Sequence, residues 1–273
     1  IKGVNVVTKI KLWISDIDGT LINYDSTMTQ RMKNLIEKLN KINFKLVLST
    51  GRMYQGAQFA ADNFNLSTPV VCYQGAVVRT KDEILWRVAL KDKLAYEIID
   101  YLKQKKIHTH VYNNDILWVE DDNKEIMTQY CHNRGTTYSV IDDFYKLDLS
   151  SGCEKLLAVI YDEKLMQEVK EELTYKYKGI LNIVQSARMY LEINDKNASK
   201  GQALNFLKKY WNLSDEEIIA SGDQDNDIEL LKNAHYKVCV GNNSQKLAQI
   251  ANYRVTSVNS DELVDLVEEL VLC

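Results

Sequence analysis

Proline is almost absent: Pro69 is the single one in 273 residues. With only 11 glycines beside it, the chain has little room for a disordered linker. Long apolar runs are also missing. No stretch approaches the ~20 residues a membrane helix needs, and the run holding Val4, Val6 and Val7 is too short for a signal peptide. The five cysteines, at 72, 131, 153, 239 and 273, are odd in number and include no pair spaced for zinc. Buried free thiols in a reducing compartment are expected. Nor does positive charge dominate: 34 basic and 38 acidic residues give a net charge of −4, whereas a nucleic-acid surface would raise it. These absences predict a soluble, cytoplasmic protein with neither nucleic acid nor membrane as partner.

What is present is an ordinary globular balance, 45% apolar and 26% charged, in a length comfortable for two domains. Residues 10–15 form a short apolar run that suits a buried strand. Met28, Met32, Leu35, Ile36, Leu39 and Ile42 return to one helical face. A second strand is predicted over 45–49, a helix over 53–64 and a third strand over 69–73. Strand and helix alternate, which predicts a parallel sheet wrapped by helices.

The texture changes after residue 82. A strand is predicted over 84–90 and a helix over 92–105. His108–Tyr112 and Ile116–Val119 then face each other across Asn113-Asn114-Asp115, a hairpin signal. A helix near 123–134, a strand near 154–161, a helix near 163–177 and a strand near 180–186 complete an α+β insert. From Met189 the first texture returns: a strand at 190–193, a helix over 199–211, and strands at 217–221 and 238–240, with helices between and after. The fold class is therefore a doubly wound, mostly parallel α/β core, residues 1–82 and 188–273, with an inserted α+β cap at 83–187.

In open parallel sheets, ligands sit outside the carboxyl ends of the strands. Four predicted strands end in polar groups: Asp16 and Asp18; Thr50 and Arg52; Asp223, Asn226 and Asp227; and Asn242. Lys200, opening a helix, could join them. Converging carboxylates repel unless a cation compensates. Oxygen-only ligands favour a hard cation, and Mg²⁺ suits a site shared with a phosphate. Such a cluster with a lysine nearby is built for a phosphoryl group.

Asp-Ile-Asp-Gly-Thr at 16–20, Ser-Thr-Gly-Arg at 49–52, Ser-Lys-Gly at 199–201 and Gly-Asp-Gln-Asp-Asn-Asp at 222–227 resemble, in order and spacing, the four motifs of the haloacid dehalogenase superfamily. The pattern is similar to the Cof-type phosphatases, whose C2-type cap lies between the second and third motifs. The resemblance implies Asp16 as nucleophile through an aspartyl-phosphate and Asp18 as acid and then base. It implies Thr50 as a hydrogen-bond partner of the phosphoryl oxygens and Lys200 as partner of Asp16 and phosphate. Mg²⁺ would be held by Asp16, the Asp18 carbonyl and Asp223, with Asp227 and Asn226 supporting. Gly51, Arg52, Gln74, Gly75, Asn226 and Asn242 would line the phosphate site. Relatives carry Asn-Gly-Ala where this chain has Gln74-Gly75-Ala76, and Gly-Asn-Ala where Asn243 replaces the Ala. Asp18 separates a phosphatase or phosphomutase from transport ATPases, which place Thr there, and from dehalogenases, which lack the acid too.

The expected reaction is hydrolysis of a small phosphorylated metabolite, such as a sugar phosphate or a phosphorylated cofactor. A phosphohexomutase is the alternative enzyme, and a non-catalytic phosphometabolite-binding protein the alternative class. Arg52 could equally be a surface helix residue. His108 and His110 share one strand face at a spacing that can bind metal, but no third ligand is evident and a solvated or substrate-facing surface is expected. Trp86, Trp118, Tyr112 and Tyr138 could be core or pocket. Glu120-Asp121-Asp122 is expected to be a solvated turn, and Met28 and Met32 core positions of the first helix.

Overall fold

The computed structural model describes residues 9–132 and 135–272. Val4, Val6, Val7 and Cys273 lie outside them. The chain opens with β1 (Leu12–Ser15), buried along its whole length. Helix α1 (Gln30–Lys41) follows. Thr29 caps it, accepting from the Met32 amide, and Met32, Leu35, Ile36 and Leu39 form its buried stripe. Each such side chain contributes roughly 1.5–3 kcal/mol on burial. Met28 precedes the helix and is half-buried rather than core. Then come β2 (Lys45–Leu48), α2 (Tyr54–Asn63), β3 (Val70–Cys72), β4 (Val77–Arg79) and β5 (Ile84–Arg87).

The middle of the chain forms α3 (Asp92–Gln104), β6 (His108–Asn113), β7 (Ile116–Val119), α4 (Lys124–Cys131), β8 (Ser139–Val140), β9 (Lys155–Val159), α5 (Glu163–Lys176), β10 (Leu181–Ala187) and β11 (Tyr190–Asp195). The remainder forms α6 (Lys200–Trp211), β12 (Ile218–Gly222), α7 (Ile228–Lys232), β13 (Tyr236–Val240), α8 (Gln245–Ile250), β14 (Tyr253–Val255) and α9 (Glu262–Leu272).

Five strands make a wholly parallel sheet in the order β14-β13-β12-β1-β2. Both faces are covered, as parallel sheets require. Trp13, Leu46 and Leu48 pack with α1, α2 and α9. Leu12, Ile14 and Val47 pack with α6, α7 and α8. The chain leaves β1 toward β2 on one side and returns as β12 on the other. The crevice beyond the ends of β1 and β12 is therefore the point where strand order reverses.

A second sheet, β10-β11-β9-β6-β7-β8, is antiparallel except for the β7–β8 pair. Helices α3 and α5 cover its far face with Ala95, Ile98, Ile99, Leu102, Met166, Val169 and Leu173. The expected hairpin is present, and its turn is tighter than predicted. Asn114 and Asp115 both take positive φ, 53° and 59°, the two-residue geometry that matches strand twist.

Two expectations are corrected. The strand at 190–193 does not rejoin the parallel sheet. As β11 it pairs antiparallel with β9 and β10, so a boundary at 187/188 cuts the β10–β11 hairpin. Alternation of strand and helix resumes only after β11, and apolar pattern alone does not tell a parallel from an antiparallel strand. Likewise, the strand at 84–90, placed in the insert, is the shorter β5. It pairs with β4, which pairs with β3, so a boundary at 82/83 separates paired strands.

The turn between β3 and β4 explains the second miss. Tyr73, Gln74 and Gly75 have φ of 53°, 59° and 90°, three successive left-handed residues that reverse the chain. Left-handed Tyr and Gln cost energy and mark over-determined segments. A Cβ on Gly75 would stand 2.2 Å from the Ser199 carbonyl oxygen, so this turn packs directly on the start of α6. Gly179 is also left-handed, at φ +74°, but has nothing within 4 Å. Gly75→Ala should therefore lose about 2 kcal/mol or more beyond the loss in Gly179→Ala. Thermal unfolding of the two variants checks this; equal losses would remove the backbone contact as the cause.

Candidate active site

Lys200 is the first residue of α6, whose cap Ser199 accepts from the Gln202 amide. Its Nζ is fully buried and donates to Asp16 Oδ1 at 2.5 Å and Asp227 Oδ1 at 2.6 Å. Asp16 follows β1, its amide extending the ladder to the Ser221 carbonyl at 3.0 Å. The other oxygen of Asp227, Oδ2, accepts from the amides of Asp223 (3.0 Å) and Gln224 (3.2 Å). Asp227 thus ties the end of β12 to α6.

Asp223 collects donors on Oδ2: the Tyr24 hydroxyl at 2.5 Å, Asn243 Nδ2 at 3.0 Å and Gln224 Nε2 at 3.3 Å. Thr20 Oγ1 reaches its Oδ1 at 3.4 Å. Asp16, Asp223 and Asp227 each offer an oxygen within 4.8 Å of the others'. Three carboxylates face one ammonium. Burial and the neighbouring Asp227 push the Asp223 carboxyl up to about 6. Burial pushes Asp16 well above the usual carboxylate range, with Lys200 opposing and Asp227, Asp223 and Asp18 adding to the rise. Burial and the Asp223 charge also raise the Tyr24 hydroxyl, which stays a donor.

Asp18 is held differently. Arg52 forks onto it, Nε to Oδ2 at 2.8 Å and Nη2 to Oδ1 at 2.5 Å. Arg52 is 6% exposed, so it is a buried site residue and not a surface one. Thr50 Oγ1 accepts from the Arg52 amide at 3.1 Å. Gln74 accepts from Asn226 Nδ2 at 3.1 Å through Oε1. Its Nε2 is buried without a hydrogen-bond partner, and Asn226 Oδ1 is likewise unpaired. A Cβ on Gly51 would fall 2.4 Å from that Nε2. The absence of a side chain at 51 is what lets the longer amide of Gln74 lie here.

Most of these groups, though not Lys200 or Asp227, line a pocket of about 110 Å³. The parallel-sheet side gives Asp16, Asp18, Thr50, Gly51, Arg52, Gln74, Asp223 and Asn226. The six-stranded sheet roofs it with Ser186, Tyr190 and Glu192, joined by Tyr130 of α4. Glu192 accepts from Ser186 Oγ at 2.7 Å and pairs with the buried Lys155 at 2.8 Å. Lys155 also donates to the Gly51 carbonyl at 2.8 Å, and Asn194 donates to the Tyr73 carbonyl at 3.2 Å. The roof is thereby stitched to the floor.

Some expected residues stand elsewhere. Asn242 is exposed and does not line the pocket. The chain turns at Gly241 (φ +72°), and it is Asn243 that faces Asp223. Gly75 is not in the pocket either; it serves the contact with α6. The Asp18 carboxylate stands apart from the three-carboxylate group, turned to Arg52. His108 and His110 take no part in that group among the described residues. His110 is fully buried, stacked edge-on against Tyr130, whereas His108, on the same face, is half-buried and lines a surface cavity. Burial lowers the proton affinity of His108. Tyr112 is core, while Trp86, Trp118 and Tyr138 pack partly buried against the clusters. Of the cysteines, 72, 153 and 239 are buried free thiols and Cys131 is half-buried. Sequence reasoning missed Tyr24, Lys155 and Glu192. Tyr24 lies just past the Asp16–Thr20 motif but outside it, and nothing local marks Lys155 or Glu192 as facing a pocket.

No helix among the described residues is long and apolar enough to cross a membrane. The family model for haloacid dehalogenase-like hydrolases matches residues 13–266. The phosphatase YwpJ of Bacillus subtilis is 25% identical over 92% of this chain and 96% of its own. The 5-amino-6-(5-phospho-D-ribitylamino)uracil phosphatase YitU of the same organism is 25% identical over 93% and 95%. Among solved structures, TM0651 of Thermotoga maritima superposes with a TM-score of 0.81 at 28% identity, covering 95% of this chain and 97% of that one. A cluster of carboxylates at the strand-order reversal, a buried lysine at its centre and matches spanning nearly the whole chain converge: the chain belongs to the haloacid dehalogenase-like hydrolases and is a phosphatase.

Proposed function

We propose that the protein hydrolyses a small phosphorylated metabolite by a Mg²⁺-dependent, two-step transfer through Asp16. The observation that carries this reading is the set of groups on Asp16. Lys200 occupies Oδ1, Oδ2 has no such partner among the described residues, and the unpaired Gln74 donor lines the same pocket. Oδ2 attacks phosphorus in line, the P–O bond to the leaving group breaks, and an aspartyl-phosphate forms. Lys200 keeps Asp16 ionised against its burial and draws negative charge toward it. Gln74 Nε2 and Thr50 take the equatorial oxygens.

Asp18 gives the leaving oxygen its proton, then takes one from the water that attacks phosphorus and releases Asp16. Both Asp18 oxygens accept from Arg52 in this structure, so one of those bonds gives way when substrate arrives. The pocket is far smaller than the ~300 Å³ of an ordinary small-molecule site. It represents the closed arrangement, with the six-stranded unit as a cap that excludes water during attack and lifts to exchange product.

The donor set fits a hard divalent cation. Asp16 and Asp223 are oxygen ligands carrying an uncompensated negative charge. Asp227 has both oxygens engaged and holds the loop rather than the ion. When bound, Mg²⁺ would neutralise charge building on the phosphoryl oxygens.

Asp16→Asn should abolish phosphate release from p-nitrophenyl phosphate while leaving the unfolding transition cooperative; near-normal turnover would remove Asp16 as nucleophile. Asp18→Asn should lower turnover about 10²–10⁴-fold, read by the same assay. The raised Asp223 carboxyl means the chelated folded state binds more protons than the unfolded one, so this group erodes stability as pH rises from ~4 to 6. In EDTA at neutral pH, Asp223→Asn should raise the Tm and flatten that slope. Mg²⁺ should raise the Tm of the wild type and not of the variant. A chelated variant with an unchanged or lower Tm would refute this account of the charge.

A further inference from the structure

The 110 Å³ pocket leaves the rest of a substrate unhoused. Two larger spaces adjoin it. One, about 580 Å³ between α1 and α2, meets it only at Arg52, whose guanidinium is taken by Asp18. Its charged lining, Lys33 and Glu37 beside Arg52, includes both signs. The other is a groove of about 520 Å³ between β10 and the loops after β12 and β13. Ala187 and Gln224 belong to both this groove and the phosphate pocket. Asn243 lines the groove while donating to Asp223, so its inner wall is the wall of the reaction centre.

The groove is basic in a protein of net charge −4. Lys170, Arg188 and Lys246 line it against one carboxylate, Asp225. Asp225 is already held by Ser244 and by Lys246, the latter at 3.3 Å. Arg188 is paired with Glu163 at 2.7 Å, but both side chains are more than 70% exposed. Lys170 is half-buried on α5, forms no salt bridge among the described residues, and acts on Asp225 only at longer range. Exposed pairs of this kind are worth about 0–1 kcal/mol, so an anion in the groove can take these cations over. Above the phosphate pocket, by contrast, the cation of the roof, Lys155, is buried and already paired with Glu192.

We infer that this groove is the subsite for the far end of the substrate and that it takes an anion: the substrate is a phosphate monoester whose other end carries a carboxylate or a second phosphate. The inference rests on the proposed phosphatase reading for the orientation of the ester and adds the charge of the leaving group. The phosphoryl group sits on Asp16, the leaving chain passes the Ala187–Gln224 threshold, and its anion lies among Lys170, Arg188 and Lys246.

Two measurements on the full chain test this. In turnover, 3-phosphoglycerate is compared with glycerol 3-phosphate, and a hexose bisphosphate with the hexose 6-phosphate. The wild type should favour the doubly anionic member of each pair about tenfold in kcat/KM. The triple variant Lys170→Gln, Arg188→Gln, Lys246→Gln should lose most of that preference through KM, with p-nitrophenyl phosphate turnover within about twofold of wild type. In binding, 3-phosphonopropionate should bind the wild type about tenfold more tightly than propylphosphonate, and the triple variant should bind both alike. Turnover of p-nitrophenyl phosphate with no charge preference overturns the groove assignment and leaves the phosphatase reading standing. Charge-selective phosphonate binding without any turnover does the reverse. A triple variant that loses all substrates equally also overturns the assignment.

Discussion

The structure depends on one buried ammonium. Lys200 Nζ lies between Asp16 and Asp227, with no water-exposed face, and each bond crosses a different junction. Through Asp16 it joins α6 to the end of β1. Through Asp227 it joins α6 to the loop after β12, whose amides Asp227 also holds. Removing one partner from such a cluster typically costs 3–5 kcal/mol, because the remaining charge stays buried. With Asp223 beside them, the cluster holds two carboxylates more than the ammonium can balance, in the crevice where the strand order reverses. In the proposed reaction, that excess receives a divalent cation and leaves an oxygen of Asp16 free for attack.

Much of this was legible in the sequence because the chemistry sits at strand ends. β1, β2 and β12 are short apolar runs that stop at polar residues, and parallel topology brings those stops together whatever the spacing between them. Asp16, Asp18, Thr50, Arg52, Asp223, Asn226 and Asp227 were all named this way, and Lys200 from its place at the start of a helix. The misses have a common physical origin. Which of two adjacent asparagines turns inward depends on a glycine φ, not on residue type, so Asn242 was named where Asn243 reaches Asp223. Direction of strand pairing leaves no trace in apolar pattern, so β11 was assigned to the wrong sheet. Long-range contacts such as Tyr24 to Asp223, 199 residues apart, have no local signature at all.

The roof of the pocket shows how a polar strand face becomes interior. Lys155 and Glu192 are charged residues on strands, yet both are buried, because the sheet that carries them lies over the pocket. Each compensates the other's charge, and Lys155 spends a further donor on the Gly51 carbonyl. The charges of that stitch are paired with each other rather than left alone in the interior.

The path of the chain between roof and floor has a mechanical consequence. Only residues 196–199 separate the end of β11 from Lys200. Four residues span about 14 Å at full stretch, too little slack to absorb a large swing of the upper layer. The first turn of α6, where β11 hands over, is pinned by two carboxylates. If the roof tilts as proposed, it pulls on the same ammonium that holds Asp16. In the proposed cycle, the entry of substrate and the alignment of Asp16 are two ends of one rigid arm.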